Sequence, residues 1–301
     1  MTWPRAEEPS VGSRLLPTFL GIGAPRSGTT WLHHVLRTHP DLFLPERKEL
    51  HFFDRHFSSG LSWYRGFFPR PEDAIRYRAL GEITPAYLHL PEACERIAAT
   101  LPECRLIAIL RNPADRAFSE YTRAIRSFGF RGSFQSYLEG NERVFLRGLY
   151  GEQFARYLDH FPRERLLVLI HERVFSRPAE ALHPLGAFLD VEPGAFLPGA
   201  ASDRVNASSM PRFPRLSRAS KRTQDFLRRH DLDAWVEWVR RSGVPRFVLQ
   251  RSHPRRSLPR FEARERAALL ERYDPDLRRL ESILGEDLSI WKATRTLERR
   301  S

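Results

Sequence analysis

The chain has 301 residues, 41% hydrophobic and 12% aromatic, which is enough for a sizeable core and excludes a largely disordered protein. Its formal net charge of +12 comes almost wholly from arginine, the lysines being Lys48, Lys221 and Lys292; it is read as a solvated basic surface, and no nucleic-acid partner is expected. Cys94 and Cys104 lack metal-ligand spacing or a disulfide pattern, and no stretch resembles a secretory signal or approaches the roughly 20 apolar residues of a membrane span. The expectation is a soluble cytoplasmic protein without membrane association, in which residues 1–17 are an extension and 18–301 one domain.

Residues 18–32 pass from an apolar run through a loop of small residues into a helical pattern. Such a strand–loop–helix unit cradles an anion with backbone N–H groups and the positive end of the helix, and Thr29 and Thr30 add hydroxyl donors. Gly23 and Gly28 have the spacing of the nucleoside-triphosphate loop G-x-x-x-x-G-K-[ST], but Thr29 replaces the lysine and Arg26 supplies the cation from before the second glycine. Pro25-Arg26-Ser27-Gly28-Thr29-Thr30 resembles the 5′-phosphosulfate loop of sulfotransferases that use 3′-phosphoadenosine 5′-phosphosulfate (PAPS). The resemblance implies donor contacts from Arg26, Ser27, Gly28, Thr29, Thr30 and Trp31.

A helix over 30–38 is stopped by His39-Pro40. If the stretch from Leu44 to Phe53 is extended, alternation puts Glu49, His51 and Phe53 on one face and Lys48, Leu50 and Phe52 on the other. Lys48-Glu49-Leu50-His51-Phe52-Phe53 resembles the acceptor-side segment of carbohydrate sulfotransferases, including the heparan sulfate branch. That resemblance implies Glu49 as general base. His51 would orient it or the acceptor, while Arg26 and Lys48 supply electrostatic stabilisation.

Residues 79–83 read as a buried strand. The following Gly81-Glu82-Ile83-Thr84-Pro85-Ala86-Tyr87 resembles a family segment lining the acceptor cleft, which makes Glu82 and Tyr87 candidate substrate contacts and Glu82 a rival base. A helix over 91–100 precedes a strong strand at 105–110, which delivers Arg111 to its carboxyl end. Asn112 and Pro113 then cap and start a helix over 113–127. This segment resembles the 3′-phosphate element of sulfotransferases, with Arg111 and Ser119 in the binding positions; forked and hydroxyl donors suit a phosphate dianion.

Gly148-Leu149-Tyr150 resembles the family's cleft wall, although a cap on the helix over 149–160 explains it equally well. Residues 166–170 form another apolar strand. Beyond Asp190 come loop-like residues, with Arg212 carried over as a contact to the 3′-phosphate end, basic helical material at 217–240 and a connector at 245–260. An amphipathic helix over 261–284, broken at Asp274-Pro275, ends at Gly285, and the pattern from Leu284 to Trp291 is also similar to the family's.

The alternation of strands and helices indicates an α/β fold, a P-loop-like, doubly wound and mainly parallel sheet flanked by helices, with a helical C-terminal layer over 215–301. The resemblance implies a bacterial-type sulfotransferase that moves the sulfuryl group from PAPS to a carbohydrate or small-molecule hydroxyl, leaving adenosine 3′,5′-bisphosphate (PAP). No metal is required in this scheme. The alternatives are a P-loop kinase or nucleotide hydrolase with a degenerate loop, which the missing lysine disfavours, and a noncatalytic polyanion-binding protein.

Overall fold

A computed structural model describes residues 14–202 and 258–292. The elements in chain order are β1 (Phe19–Gly23), α1 (Thr29–Leu36), β2 (Leu42–Phe43), α2 (Gly60–Arg65), α3 (Pro71–Ala74), β3 (Ala79–Ile83), α4 (Pro91–Thr100) and β4 (Arg105–Leu110). There follow α5 (Pro113–Phe128), α6 (Phe134–Glu139), α7 (Glu142–Leu146), α8 (Tyr150–Leu158), β5 (Leu166–Ile170), α9 (His171–Ser176), α10 (Leu182–Leu189) and α11 (Ala263–Leu284). No helix among the described residues is long and apolar enough to cross a membrane.

The five strands pair in parallel in the order β2-β3-β1-β4-β5. Every residue of β1 is buried, because helices cover both faces of the sheet, so this strand is a continuous apolar run without alternation. β1 is central and the chain departs to opposite sides of it, placing the topological switch point at its carboxyl end, where α/β sheets hold ligands. The core on one side packs Trp31, Leu32, Val35 and Leu36 of α1 against Phe19, Ile83, Ile107 and Ile109 of the sheet and Leu185 and Leu189 of α10.

Two compact units are distinguished along the chain. The first holds the sheet, α8 and α11. In it, Asp276 of α11 caps the start of α8: its Oδ2 and Oδ1 accept the Gly151 and Glu152 N–H groups, each at 2.8 Å. The approach needs a glycine, since a Cβ on Gly151 would lie 2.4 Å from the Asp276 carbonyl oxygen. Here the structure corrects the sequence reading, for α11 runs through Asp274-Pro275 without a break. An interior proline costs roughly 3 kcal/mol, offset by burial of Tyr273, Leu277, Leu280 and Leu284 along one face. Gly285, at φ 66°, ends the helix.

The second unit comprises residues 117–144 and 206–262. Its described part is an aromatic cluster in which Phe118 stacks on Phe261 with centroids 4.4 Å apart and both meet Phe134 edge-on. Ser133 caps α6 by accepting the Ser136 N–H at 3.1 Å. The expected basic helical material at 217–240, most of the 245–260 connector and Arg212 lie outside the described residues.

Candidate active site

At the end of β1 the chain turns through residues 24–28 into α1. The Ala24 N–H donates to the Ile109 carbonyl at 2.9 Å, and the Ser27 N–H returns to the Ala24 carbonyl at 3.3 Å, so the loop is tied both to β4 and to itself. Arg26 and Gly28 adopt left-handed φ values of 70° and 110°. Glycine takes this conformation freely, whereas at Arg26 it costs about 1–2 kcal/mol. A Cβ at Gly28 would also come within 2.7 Å of the Phe175 ring.

The N-cap of α1 is Gly28, which has no side chain to cap the helix. Its first-turn N–H groups and positive dipole end are therefore directed at the loop. The Ser27 hydroxyl is buried and makes no well-formed hydrogen bond, its polar neighbour being the Tyr150 hydroxyl. An uncapped helix start, an underused buried hydroxyl and an exposed arginine beside them are a donor set that fits a phosphate or phosphosulfate group.

Arg111 follows β4 as expected. Its guanidinium reaches the Arg26 carbonyl in a long 3.5 Å contact, and its own carbonyl accepts from the Tyr150 hydroxyl at 3.1 Å. Asn112 Oδ1 caps α5 by accepting the Ala114 and Asp115 N–H groups at 3.0 and 3.1 Å. Ser119 lies on α5, in the second unit. The Trp31 indole N–H is committed to the Ala201 carbonyl at 2.8 Å, which leaves only the backbone of that residue for a ligand at the loop.

The segment from Leu44 to Phe53 is not an extended strand beyond β2. Glu49 and His51 are both left-handed, with φ 63° and 57°, and Phe53 is buried with Phe52 and Leu50 rather than sharing a face with Glu49. The segment is held by backbone bonds to the end of β3: the Glu49 N–H donates to the Ile83 carbonyl at 3.1 Å and the His51 N–H to Thr84 Oγ1 at 3.3 Å. On the other side, His33 of α1 approaches the Pro45 carbonyl at 3.3 Å. Burial, opposed by that bond and aided by the nearby Lys48 charge, brings the His33 pKa down to about 4.

Glu49 and His51 nevertheless meet, with His51 Nε2 3.6 Å from Glu49 Oε2. Lys48, which alternation would have put on the opposite face, donates to Glu49 Oε1 at 2.9 Å and to Thr29 Oγ1 at 3.4 Å. Its amine thus joins the glutamate to the start of α1. His51 Nδ1 lies 2.8 Å from Asp54 Oδ2. Burial works against the Glu49 charge, but the bond to His51 and the Lys48 charge overcome it and lower the pKa to about 2. Burial likewise opposes the His51 charge, and Asp54 and Glu49 overcome it, raising that pKa.

Glu82 has a different setting. It is 2% exposed, and its oxygens accept from the Thr84 hydroxyl at 2.8 Å, the Tyr87 hydroxyl at 2.8 Å and the Tyr64 hydroxyl at 3.4 Å. Burial raises its pKa to about 7 against the pull of those bonds. Tyr87 is fully buried, and its carbonyl accepts from Tyr157 of α8. Glu82 and Tyr87 therefore lie beneath the Glu49–His51 segment, linked to it through Thr84.

Sequence reasoning missed Asp54 and His171. Asp54 could have been found as a carboxylate three residues after His51. His171, whose Nδ1 lies 2.8 Å from the Ser27 carbonyl, carries no local signal, because its partner is remote in the chain.

A parallel α/β sheet with a loop of phosphate-fitting donors at its switch point, beside a carboxylate held ionised, defines a P-loop-like fold. The sequence model of the sulfotransferase domain family matches residues 16–255, and the chain belongs to that family. Heparan sulfate glucosamine 3-O-sulfotransferase 3B1 of Mus musculus is 34% identical over 191 residues, covering 60% of this chain and 48% of that protein. Heparan sulfate glucosamine 3-O-sulfotransferase 6 of Homo sapiens is 34% identical over 190 residues, covering 60% of this chain and 54% of its own length. The chain thus spans about half the length of these curated relatives. A sulfotransferase crystal structure from Alicyclobacillus acidocaldarius superposes with a TM-score of 0.65 at 24% identity, over 93% of this chain and all of that one, and shares the fold.

Proposed function

We propose that the protein transfers the sulfuryl group of PAPS to a carbohydrate hydroxyl. The observation that carries this reading is the Lys48 amine, which spans Thr29 Oγ1 and Glu49 Oε1 and so joins an anion-binding helix start to a carboxylate kept ionised. Donor and acceptor would meet between them. Support for the acceptor class comes from the relatives whose names assign them heparan sulfate glucosamine.

In this reading Glu49 takes the proton of the acceptor hydroxyl as its oxygen bonds to sulfur, while the bond from sulfur to the bridging phosphate oxygen breaks in line. Charge gathering on the departing PAP is met by Arg26, Lys48 and the first-turn N–H groups of α1. His51, anchored by Asp54, fixes the Glu49 carboxylate. Arg111 supplies a forked donor for the 3′-phosphate. Glu82 supports the segment from below through Thr84 and does not take the proton.

Calorimetric titration with PAP, ADP and magnesium–ATP at matched moderate salt tests the donor assignment. The expected result is a clear preference for PAP without magnesium. Preference for magnesium–ATP would point to phosphoryl transfer, and absence of nucleotide binding to a noncatalytic polyanion-binding protein.

A further inference from the structure

Glu172 stands immediately after β5, at the second position of α9, with its side chain buried. Its Oε1 accepts the Asn112 N–H at 3.1 Å, and its Oε2 accepts the Trp291 Nε1–H at 2.7 Å. The third side of the triangle is closed by the Asn112 side-chain amide, which donates to the Trp291 carbonyl at 2.8 Å. Arg266 of α11 donates to the same carbonyl at 3.1 Å and pairs with Asp115 at 3.0 Å. Two segments distant in sequence, at Glu172 and Trp291, thus converge on the residue that follows Arg111, and Arg266 braces the second.

The neighbouring His171 holds the other donor element, through the Ser27 carbonyl. Residues 171 and 172 consequently tie the phosphate loop and the Arg111 corner to a single short helix. A buried carboxylate that accepts two N–H groups and has no exposed work to do is expensive to retain unless it is fully bonded. Here both oxygens are bonded to groups that fix the backbone at Asn112.

We infer that Glu172, clasped by Trp291, is a positioning residue that sets the backbone from which Arg111 reaches the 3′-phosphate of the nucleotide. It touches neither nucleotide nor acceptor. This role rests on the PAPS reading above and adds to it a dependence of donor selectivity on the C-terminal segment. Replacement by glutamine presents an amide N–H to one of the two donors, and loss of the Trp291 N–H leaves one carboxylate oxygen buried and unbonded.

The test is calorimetric affinity for PAP and for adenosine 5′-monophosphate, which lacks the 3′-phosphate, measured on Glu172→Gln, on Trp291→Phe, which keeps most of the ring packing, and on each combined with Arg111→Ala. The expected result is that each single variant weakens PAP by about tenfold, as for a charged hydrogen bond put out of place, and changes the monophosphate by less than about twofold. In the Arg111→Ala background that effect disappears, which is the mark of coupling between the two positions. Equal weakening of both nucleotides, or effects that simply add to Arg111→Ala, would overturn the positioning role and leave the donor reading intact. Absence of any PAP preference in the unaltered protein would overturn both. Trp291→Phe keeps the test decisive if Glu172→Gln fails to fold.

Discussion

Glu49 and Glu82 meet the same end of β3, one through a backbone bond to Ile83 and the other as a residue of the strand, and the protein treats them oppositely. The Glu49 side chain is half-buried, but it is flanked by His51 and Lys48, which overcome the cost of burial and bring its pKa to about 2. Glu82 is sealed among hydroxyl groups, which bond it without neutralising it, and its pKa rises to about 7. The difference is between a carboxylate held ionised at the surface of the segment and one buried beneath it, and it carries the division of roles proposed above. At Glu82 burial outweighs the hydroxyl bonds that pull the pKa down, whereas at Glu49 burial is outweighed by the bond to His51 and the Lys48 charge.

The largest expected effect comes from testing that division directly. Glu49→Gln should lower the turnover of sulfuryl transfer by about 10²–10⁴-fold, the usual contribution of a general base, with PAP affinity unchanged by calorimetry. Glu82→Gln should retain turnover within about tenfold by the same standard. A reversed pattern would exchange the two roles.

Arg111→Ala is next in size. It should weaken PAP by about 10–100-fold, the loss of a hydrogen bond to a charged group, while the affinity for adenosine 5′-monophosphate stays nearly constant.

The contrast also has a pH signature. The raised pKa of Glu82 means that the folded protein binds more protons than the unfolded chain between 4.5 and about 7. Its contribution to stability is therefore fully favourable below the unfolded value and is lost as pH rises through the folded one. Glu82→Gln should remove that loss, raising the melting temperature relative to the unaltered protein at about pH 8 more than at about pH 5. Glu49 behaves in the opposite sense: with its pKa lowered from 4.5 to about 2, its contribution is present above 4.5 and lost as pH falls. The smallest effect is expected from Asp54→Asn. His51 has a raised pKa, so the stability it gains is present below 6.5 and lost above its folded value, and the variant should differ most from the unaltered protein below that range.

Much of the donor side was legible in the sequence because its determinants are local. The apolar runs of β1, β3, β4 and β5, the glycine at 28, and Asn112-Pro113 at the head of α5 act within a few residues of themselves. The acceptor segment was legible as a motif but not as a shape. Period-two reasoning assigned Lys48 to the wrong face, because left-handed Glu49 and His51 break the alternation, and nothing in the identity of either residue announces a positive φ. Pro275 was read as a break because local propensity was weighed without the α8 contacts that hold α11 together. Glu172 and His171 were silent for the same reason, since their partners lie 60 to 144 residues away, and Trp291 was legible only as the end of a family-like pattern.

The most direct measurement is mass spectrometry of a glucosamine-containing heparan oligosaccharide incubated with the protein and PAPS, with nucleotide products quantified in parallel. The account predicts a sulfate ester on the oligosaccharide and one PAP released for each ester formed. PAP binding without any esterified product, or PAPS consumed with the oligosaccharide unchanged, would contradict it.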